Sequence, residues 1–272
     1  MKFRSLIFLA IWFYAFTLQI KETPLDSEPI KIVQSSFQDI LDSANVAGSI
    51  LLYDLEKNTF YSNDFDHASK SFIPASTFKI PNSLMALELG IVEDGSTEFK
   101  WDGQVRSVEN WNQDLTFKQA FHYSCVPCYQ KIARNIGVER LSKYTEDFGY
   151  GHLDINSSNV DMFWLEGSSS ISQMQQIDFL KRFYLGELPI SERTERIAKE
   201  MMAEKNGKDF KLIGKTGLSM SGVGWYVGYL EKDGNTYFFA TNLQMKEDTP
   251  YAVRRGVTMA ALEDMDIWQL KP

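Results

Sequence analysis

Cysteine and histidine are scarce in this sequence, which limits the metal chemistry that the chain can support. The two cysteines, Cys125 and Cys128, form a single C-x-x-C, and the three histidines are His67, His122 and His152. A structural zinc site needs four ligands, and these histidines lack the spacing that would complete one. We therefore predict no metal cofactor. We interpret the cysteines as small buried apolar side chains, with a local disulfide as the alternative in an oxidising compartment.

The sequence also lacks a basic excess and any internal repeat. Its 272 residues include 36 acidic and 28 basic side chains, which give a formal net charge of −8. Because nucleic-acid-binding proteins need a basic face, this balance argues against a nucleic-acid partner and is typical of an ordinary soluble surface. The length fits one large domain or two lobes that share an interface.

Only one long hydrophobic run is present, at the N-terminus. Lys2 and Arg4 precede an almost unbroken apolar run from Leu6 to Leu18. A charged start and an apolar stretch too short for a stable membrane span are typical of a secretory signal. We predict that residues 1–20 are a signal peptide and that the mature chain is periplasmic or secreted, without membrane contact. An uncleaved anchor is the alternative.

Strand patterns occur towards both ends of the chain and helical patterns in the middle. The predicted strands are 48–54, 59–62, 210–213, 224–230 and 236–242. Asp233-Gly234 between the last two favours the tight turn of a hairpin. Residues 82–202 follow mostly helical spacing, and a last helix covers about 250–264. This order predicts an α+β fold, in which an antiparallel sheet packs against helices beside a mostly helical lobe.

We predict that the mature chain, residues 21–272, is a single domain with two lobes. The sheet lobe consists of residues 21–80 and 203–272, and the helical lobe of residues 81–202. A cleft between such lobes is the natural place for a site.

A serine and a lysine lie three residues apart at Ser76-Thr-Phe-Lys79, where a helix is predicted to begin. Residues at this spacing share one face of a helix. Serine is a weak nucleophile until a neighbouring base takes its proton, and free N–H groups at a helix N-terminus favour negative charge. Because S-x-x-K also occurs by chance in surface helices, the motif alone does not establish catalysis.

Two further short motifs follow, Ser124-Cys-Val126 and Lys215-Thr-Gly217. A lysine in a cleft can hold a substrate carboxylate, and the glycine after Thr216 lets another backbone approach closely. The alternative for the second motif is a hairpin turn with an exposed lysine. The sequence has no G-x-S-x-G, which argues against a hydrolase of the Ser-His-Asp type.

The order of the three motifs resembles that of the penicillin-recognising serine enzymes. From about Gly48 to Leu262 the chain resembles the class D β-lactamases, which have S-x-V where class A enzymes have S-D-N. Further family-like stretches are Trp111-Asn-Gln-Asp114, Phe163-Trp-Leu-Glu-Gly167, Gly224-Trp225 and Tyr251-Ala-Val-Arg254. One stretch departs from the family, because Tyr150-Gly151-His152 stands where an aromatic residue, glycine and asparagine are usual.

The resemblance implies a β-lactamase/transpeptidase-like fold with a five- to seven-stranded sheet, and hydrolysis of β-lactams through an acyl-enzyme. It implies that Ser76 is the nucleophile and that Lys79, carboxylated by carbon dioxide, is its base, held by the indole of Trp164. Ser124 and Lys215 would relay a proton to the leaving nitrogen. The substrate-binding residues implied are Val126, Thr216, Gly217, Leu218, Arg254 and Trp111. The backbone N–H groups of Ser76 and Leu218 would form the oxyanion hole.

Two related functions remain open at this stage, together with the oligomeric state, monomer or homodimer. One is a β-lactam sensor domain, which acylates and then stalls. The other is a cell-wall peptidase that acts on D-Ala-D-Ala peptides. The single apolar leader and the absence of H-E-x-x-H argue against the sensor, and the S-x-V with the Trp164 stretch argues against the peptidase.

Overall fold

The computed structural model of the chain describes residues 28–269, so the predicted signal peptide lies outside the described residues. The strands are β1 (Ile30–Val33), β2 (Ala47–Asp54), β3 (Thr59–Ser62), β4 (Ser71–Phe72), β5 (Glu98–Phe99), β6 (Leu115–Thr116), β7 (Ile171–Ser172), β8 (Ala203–Asn206), β9 (Phe210–Leu218), β10 (Val223–Lys232) and β11 (Asn235–Gln244). The α-helices are α1 (Ser36–Ser43), α2 (Phe65–Ser69), α3 (Lys79–Glu88), α4 (Phe117–His122), α5 (Val126–Ile136), α6 (Val138–Asp147), α7 (Gln173–Leu185), α8 (Glu192–Met202) and α9 (Val253–Asp264). Short 3₁₀ helices cover Ala75–Phe78 and Glu109–Trp111.

Seven strands form the main sheet, in the order β1-β3-β2-β11-β10-β9-β8. The pairs from β3 to β8 are antiparallel, and β1 adds to the edge in parallel with β3. The predicted mixed fold with an antiparallel sheet of five to seven strands is therefore confirmed. In the part of the chain that the structure describes, no helix combines the length and the hydropathy of a membrane span.

The central hairpin of the sheet has the turn that the sequence predicts. β10 and β11 pair in register from Val223 opposite Gln244 to Lys232 opposite Asn235. Asp233 and Gly234 both have positive φ angles, 53° and 83°. A two-residue turn of this kind matches the right-handed twist of the strands that it joins. The hairpin places the long strand β10 beside β9, which carries the Lys215-Thr-Gly217 motif.

Both faces of the sheet are covered, and β10 contributes to both cores. Trp225, Val227 and Tyr229 point into the core shared with the helical part of the chain. Tyr226 and Leu230 point into a second core formed with α1 and α9. Because successive strand residues face opposite sides, a strand buried on both sides has an unbroken apolar pattern. β10 is therefore packed on both faces, beside β9, the strand that carries the Lys215-Thr-Gly217 motif.

The 3₁₀ turn that contains Ser76 runs directly into α3. Ala75–Phe78 forms the turn, and Lys79 is the first residue of the α-helix. Leu84 and Leu87 on the apolar face are buried, as the helical spacing predicts. The helix ends at Glu88, and Gly90 beyond it has a φ of 65°. Burial on almost every side fixes the orientation of the helix start.

Candidate active site

The structure brings the side chains of Ser76 and Lys79 into direct contact. The Lys79 ammonium nitrogen donates a hydrogen bond of 3.0 Å to the Ser76 hydroxyl oxygen. Lys79 is completely buried, and Ser76 is 8% exposed. Lys79 is thus enclosed in the protein, whereas Ser76 keeps a small area that is open to solvent.

Lys79 lies in surroundings that disfavour its positive charge. Burial lowers the pKa of Lys79 well below its usual value, and the nearby charge of Lys215 lowers it further. The ring of Tyr129 lies 5.2 Å from the amine and the ring of Phe78 is fully buried beside it in the chain. A lysine that loses its proton readily can act as a base or react as an amine.

A second serine–lysine pair joins the helical part of the chain to the sheet. The Lys215 amine on β9 donates a hydrogen bond of 2.5 Å to the Ser124 hydroxyl. Lys215 is only 3% exposed, so the alternative of a hairpin turn with an exposed lysine is wrong. Burial lowers the pKa of Lys215 to about 7, although the charge of Glu204 raises it and that of Arg254 lowers it.

Two residues of the site have a backbone conformation that is unusual for side chains other than glycine. Ala75, directly before Ser76, has a φ of 49°, and Ser124 has a φ of 53°. The left-handed region is uncommon for such residues, and strain of this kind concentrates at functional sites. Each strained residue thus helps to set the direction of one of the two serine hydroxyls.

β9 passes very close to the turn that carries Ser76. A Cβ atom added to Gly217 would lie 3.3 Å from the carbonyl oxygen of Pro74, the backbone nitrogen of Ser76 and the Thr77 methyl. The Trp225 indole on β10 donates a hydrogen bond of 2.9 Å to the Ile73 carbonyl oxygen. The sheet and the turn are therefore fixed against each other, and Leu218 follows at the edge of this contact.

Arg254 lies at the start of α9, beside the end of β9. Its guanidinium donates hydrogen bonds to the carbonyl oxygens of Gly217 and Tyr251. The group is 8% exposed and stacks over the Tyr251 ring, and burial lowers its pKa. Thr216, half-buried between Lys215 and Gly217, completes this cationic end of the site.

Trp164 packs against the residue that precedes Lys79. Its ring stacks on Phe78, with centroids 5.6 Å apart. The indole is completely buried, and among residues 28–269 its N–H has no hydrogen-bond partner. An unpaired buried donor is costly, so a native structure that contains one needs an explanation. Among the five predicted catalytic residues, all of which the structure describes, only Trp164 has a fully buried polar atom without a hydrogen-bond partner.

Val126 and Trp111 lie beside Ser124. Val126 is the first residue of α5 and is partly buried. Trp111 donates a hydrogen bond of 2.9 Å from its indole to the Tyr123 carbonyl oxygen. Trp111 therefore supports the residue next to Ser124 while its partly exposed ring forms part of the surface there.

The structure corrects the interpretation of the cysteines. Cys125 and Cys128 are joined by a disulfide, with Cα atoms 5.4 Å apart, so they are not free apolar side chains. Cys125 caps the N-terminus of α5, which brings the two side chains together within one helical turn. Spacing alone could not distinguish the two interpretations, because C-x-x-C fits a reduced helix start equally well.

His152 does not reach this group of residues by its side chain. It is exposed, and its backbone exchanges hydrogen bonds with Ser170. Gly151 before it has a φ of 63°, and a Cβ there would lie 2.4 Å from the Ser170 carbonyl oxygen. Among the residues that the structure describes, no cluster of histidine, cysteine and carboxylate side chains is arranged to hold a metal ion.

Several residues of the site were not predicted from the sequence. Tyr129 and Phe121 place their rings against Lys79 and Lys215. Asn82, one turn after Lys79, is fully buried, and neither polar atom of its side chain has a partner within residues 28–269. Glu204 acts on Lys215 through its charge. The helical spacing from Lys79 to Asn82 is a signal that sequence reasoning had available, whereas Glu204 is brought near by strand pairing.

Comparison with known proteins places this geometry in context. The model of the penicillin binding protein transpeptidase domain matches residues 46–262. The chain is 44% identical over 224 residues to Beta-lactamase OXA-48 of Klebsiella pneumoniae, which covers 81% of this chain and 84% of that protein. It is 37% identical over 228 residues to Beta-lactamase OXA-10 of Pseudomonas aeruginosa, which covers 82% of this chain and 85% of that protein.

A solved structure is similar over nearly its whole length. The class D β-lactamase YbXI from Nostoc superimposes with a TM-score of 0.83 at 41% sequence identity. The alignment covers 85% of this chain and 99% of the Nostoc chain. Similarity of this extent includes both the sheet and the helices around the Ser76–Lys79 pair.

Proposed function

The chain belongs to the class D serine β-lactamases, and from this premise we propose that Ser76 is the nucleophile and that Lys79, carboxylated on its amine, is the base. Hydrolysis of β-lactams by a serine enzyme follows from the family. The observation that carries the proposal is the hydrogen bond of 3.0 Å between the Lys79 amine and the Ser76 hydroxyl. A base in contact with the hydroxyl is what a serine needs to become a nucleophile.

The surroundings of Lys79 support carboxylation by carbon dioxide. The amine reacts with carbon dioxide only when it is neutral, and burial lowers the pKa of Lys79 well below its usual value. The carbamate would be an anion in a nearly apolar pocket and would need a donor. The unpaired N–H of Trp164, stacked on Phe78, fits this requirement. When bound, the carboxyl group supplies a base for acylation and for activation of water.

The other residues of the site divide into those that move a proton and those that hold the substrate. Ser124 and Lys215, which are hydrogen bonded to each other, relay a proton to the leaving nitrogen of the opened lactam. Lys215, Thr216 and Arg254 bind the carboxylate of the substrate. Lys215 and Arg254 are buried cations, close enough for the charge of Arg254 to lower the pKa of Lys215, and neither forms an ion pair within the described residues.

The remaining substrate contacts surround the serine. The backbone N–H groups of Ser76 and Leu218 stabilise the oxyanion, and the close approach of Gly217 to Ser76 brings these two segments of chain together. Val126 and Trp111 line the substrate site beside Ser124.

We also infer that the enzyme is exported. The charged and apolar start of the sequence is typical of a signal peptide, and the mature enzyme acts in the periplasm or outside the cell as a monomer or homodimer. It forms one domain, with a sheet lobe and a helical lobe on either side of the site.

The first experiment follows a chromogenic cephalosporin with the purified mature enzyme, with and without bicarbonate. We expect many turnovers per enzyme, a higher rate with bicarbonate, and no activity in Ser76→Ala. A single stoichiometric burst that stalls even in bicarbonate would instead identify a sensor or a peptidase. If turnover in buffer depleted of carbon dioxide equals turnover with bicarbonate, carboxylation of Lys79 is wrong.

A further inference from the structure

The disulfide between Cys125 and Cys128 lies directly against a residue of the proposed proton relay. Cys125 follows Ser124, whose hydroxyl accepts a hydrogen bond from Lys215, and Cys128 lies one helical turn further into α5. The chain contains no other cysteine, so every thiol that the protein can expose belongs to this pair. A cross-link between residues three apart constrains the unfolded chain less than one that closes a long loop. Its main effect is therefore expected on the local structure.

That local structure is the strained turn around Ser124. Ser124 has a φ of 53°, and its backbone N–H donates a hydrogen bond of 3.1 Å to Phe121. The N–H of Cys125 donates a hydrogen bond of 2.9 Å to Ala120. A left-handed serine persists only where its surroundings hold it in place. The disulfide adds a covalent link to this short set of hydrogen bonds, and it ties the turn to α5.

The two sulfur atoms differ in accessibility. A cavity of about 370 Å³ beside the site is lined by both cysteines, with Trp111 and Pro127 among its other walls. Cys125 is 1% exposed, whereas Cys128 is partly exposed. A small thiol that enters the cavity would therefore meet the sulfur of Cys128 first.

The buried sulfur is well placed to leave as a thiolate. Cys125 is the N-cap of the 11-residue helix α5, and its sulfur accepts a hydrogen bond of 3.2 Å from the backbone N–H of Cys128. A helix N-terminus stabilises negative charge on a cysteine sulfur. A stabilised thiolate is a good leaving group in thiol–disulfide exchange. A thiol in the cavity can therefore attack the more exposed Cys128 sulfur, and the Cys125 sulfur, at the helix N-terminus, is the leaving group.

We propose that the Cys125–Cys128 disulfide is a thiol-exchange site that positions Ser124, so that a low-molecular-weight thiol lowers the activity of the enzyme. This proposal rests on the proposed function, because it acts through the Ser124–Lys215 pair. The thiolate of a small thiol attacks the Cys128 sulfur, the sulfur–sulfur bond breaks, and its electron pair leaves on Cys125. A second thiol attacks the mixed disulfide and is released with the first as an oxidised disulfide. The two protons of the small thiols pass to the two cysteines, which completes a two-electron reduction.

Reduction frees the turn without removing any side chain that touches the substrate. Ser124 can then relax from its strained conformation, and its hydroxyl moves relative to the Lys215 amine. Because a displacement of about 1 Å in a catalytic group can cost about 100-fold in rate, we expect kcat to fall between about 10-fold and 100-fold. KM should change less, since Arg254 and Thr216 do not depend on the disulfide.

The test uses the full mature enzyme under native conditions, with dithiothreitol and glutathione as the probes. Thiols are counted with a chromogenic disulfide reagent, turnover is followed with the chromogenic cephalosporin, and active sites are counted by titration with a boronic acid that the Ser76 hydroxyl attacks. We expect two thiols per chain after reduction, an unchanged number of active sites, a lower kcat per site and recovery on reoxidation. The double variant with Cys125→Ala and Cys128→Ala should have the lower kcat and should not respond to reductant.

Any of four outcomes would overturn the proposal. The first is that treatment with reductant exposes no thiol in the folded enzyme. The second is that the reduced enzyme keeps its kcat, and the third is that the double variant has the same kcat as the oxidised enzyme. The fourth is a loss of active sites at constant kcat per site, which would show that the disulfide only stabilises the fold. Failure of the proposed function is distinguished from these, because the oxidised enzyme itself would then show no turnover that depends on Ser76.

Discussion

At the scale of single residues, the unpaired indole N–H of Trp164 leads to a test of the carboxylated lysine. We expect Trp164→Phe to lower activity and to make the remaining activity more dependent on bicarbonate, because the anion on Lys79 would lose its donor. The measurement is kcat as a function of bicarbonate concentration. Trp225→Phe is the control for the loss of a buried indole: it also removes the hydrogen bond to the Ile73 carbonyl oxygen and can lower kcat, but the dependence of its kcat on bicarbonate should stay that of the parent enzyme. Full activity of Trp164→Phe without bicarbonate would remove Trp164 from the mechanism.

Glu204 provides a second test at this scale, through the charge of Lys215. Burial lowers the pKa of Lys215 and the negative charge of Glu204 raises it, and together with the charge of Arg254 they leave it at about 7. Glu204→Gln should therefore lower this pKa and make Lys215 lose its proton at a more acidic pH. Since the charged form is proposed to hold the substrate carboxylate, KM should begin to rise with pH at a lower pH in the variant than in the parent enzyme.

The pH dependence of KM for both enzymes checks this expectation. The amide oxygen that Glu204→Gln introduces can still accept the hydrogen bond of 3.0 Å that the Tyr226 hydroxyl donates to Glu204, whereas the ion pair of Glu204 with Arg255 is lost with the charge. Glu231→Gln, on the neighbouring strand β10, controls for the loss of one negative charge from the sheet. Superimposable KM profiles for the parent and Glu204→Gln would show that the charge of Glu204 does not act on the group that titrates.

Single site residues could be predicted from the sequence where they belong to a short motif with a recognisable spacing. Ser76 and Lys79 are neighbours because three-residue spacing on a helix makes them so, and the structure places their atoms 3.0 Å apart. Glu204 carries no such signal, because only the pairing of β8 with β9 brings it near Lys215. The redox state of Cys125 and Cys128 also had no signal, since a C-x-x-C at a helix start accommodates both states.

At the scale of secondary-structure elements, the distance between β9 and the Ser76 turn leads to a prediction. A Cβ at position 217 would lie 3.3 Å from two backbone atoms of the turn, which cannot move as a flexible side chain would. We expect Gly217→Ala to push the strand away from Ser76 and to lower kcat/KM by about 10-fold or more, because the oxyanion donors belong to these two segments.

Gly256→Ala is the matched control for this substitution. Gly256 lies within α9, and a Cβ there would meet no atom within 4 Å. The control should keep full activity and gain up to about 1 kcal/mol of stability, since alanine favours a helix more than glycine does. Steady-state kinetics and thermal unfolding of both variants provide the comparison. Equal activities would mean that the strand and the turn are not held at a critical distance.

The long elements were predictable and the short edge strands were not. Strands β2, β10 and β11 have apolar patterns, and the Asp233-Gly234 turn joins the last two as predicted. The four residues of β1, Ile30-Lys31-Ile32-Val33, are all exposed, and so short a segment gives too little pattern to predict a strand from sequence. β8 is also short and becomes a strand only because β9 offers free backbone groups at the sheet edge. Edge strands of this kind depend on their neighbours more than on their own sequence.

At the scale of the whole molecule, the site places two buried lysines in the interior of one domain. Lys79 and Lys215 are 0% and 3% exposed, and burial lowers the pKa of both. The unfolded chain then binds more protons than the folded one, from about pH 7 for Lys215 up to the ordinary lysine pKa of 10.5. The contribution of these two lysines to stability therefore rises as the pH increases through this interval. At neutral pH the fold bears the cost of keeping these amines out of water.

Lys79→Met tests whether burial of the Lys79 amine lowers the stability of the fold. The variant keeps an apolar chain of similar size but removes the buried amine, so we expect it to lose activity and to unfold at a higher temperature at pH 7. A domain of this size gains about 2–4 °C for each kcal/mol. The increase of stability with pH should also be smaller than in the parent enzyme. The measurement is thermal and guanidinium unfolding between pH 7 and 10, in buffer depleted of carbon dioxide.

Lys118→Met, at an exposed position of α4, controls for the loss of one positive charge. A lower unfolding temperature for Lys79→Met would mean that the hydrogen bond from Lys79 to Ser76 stabilises the fold by more than the burial of the amine costs.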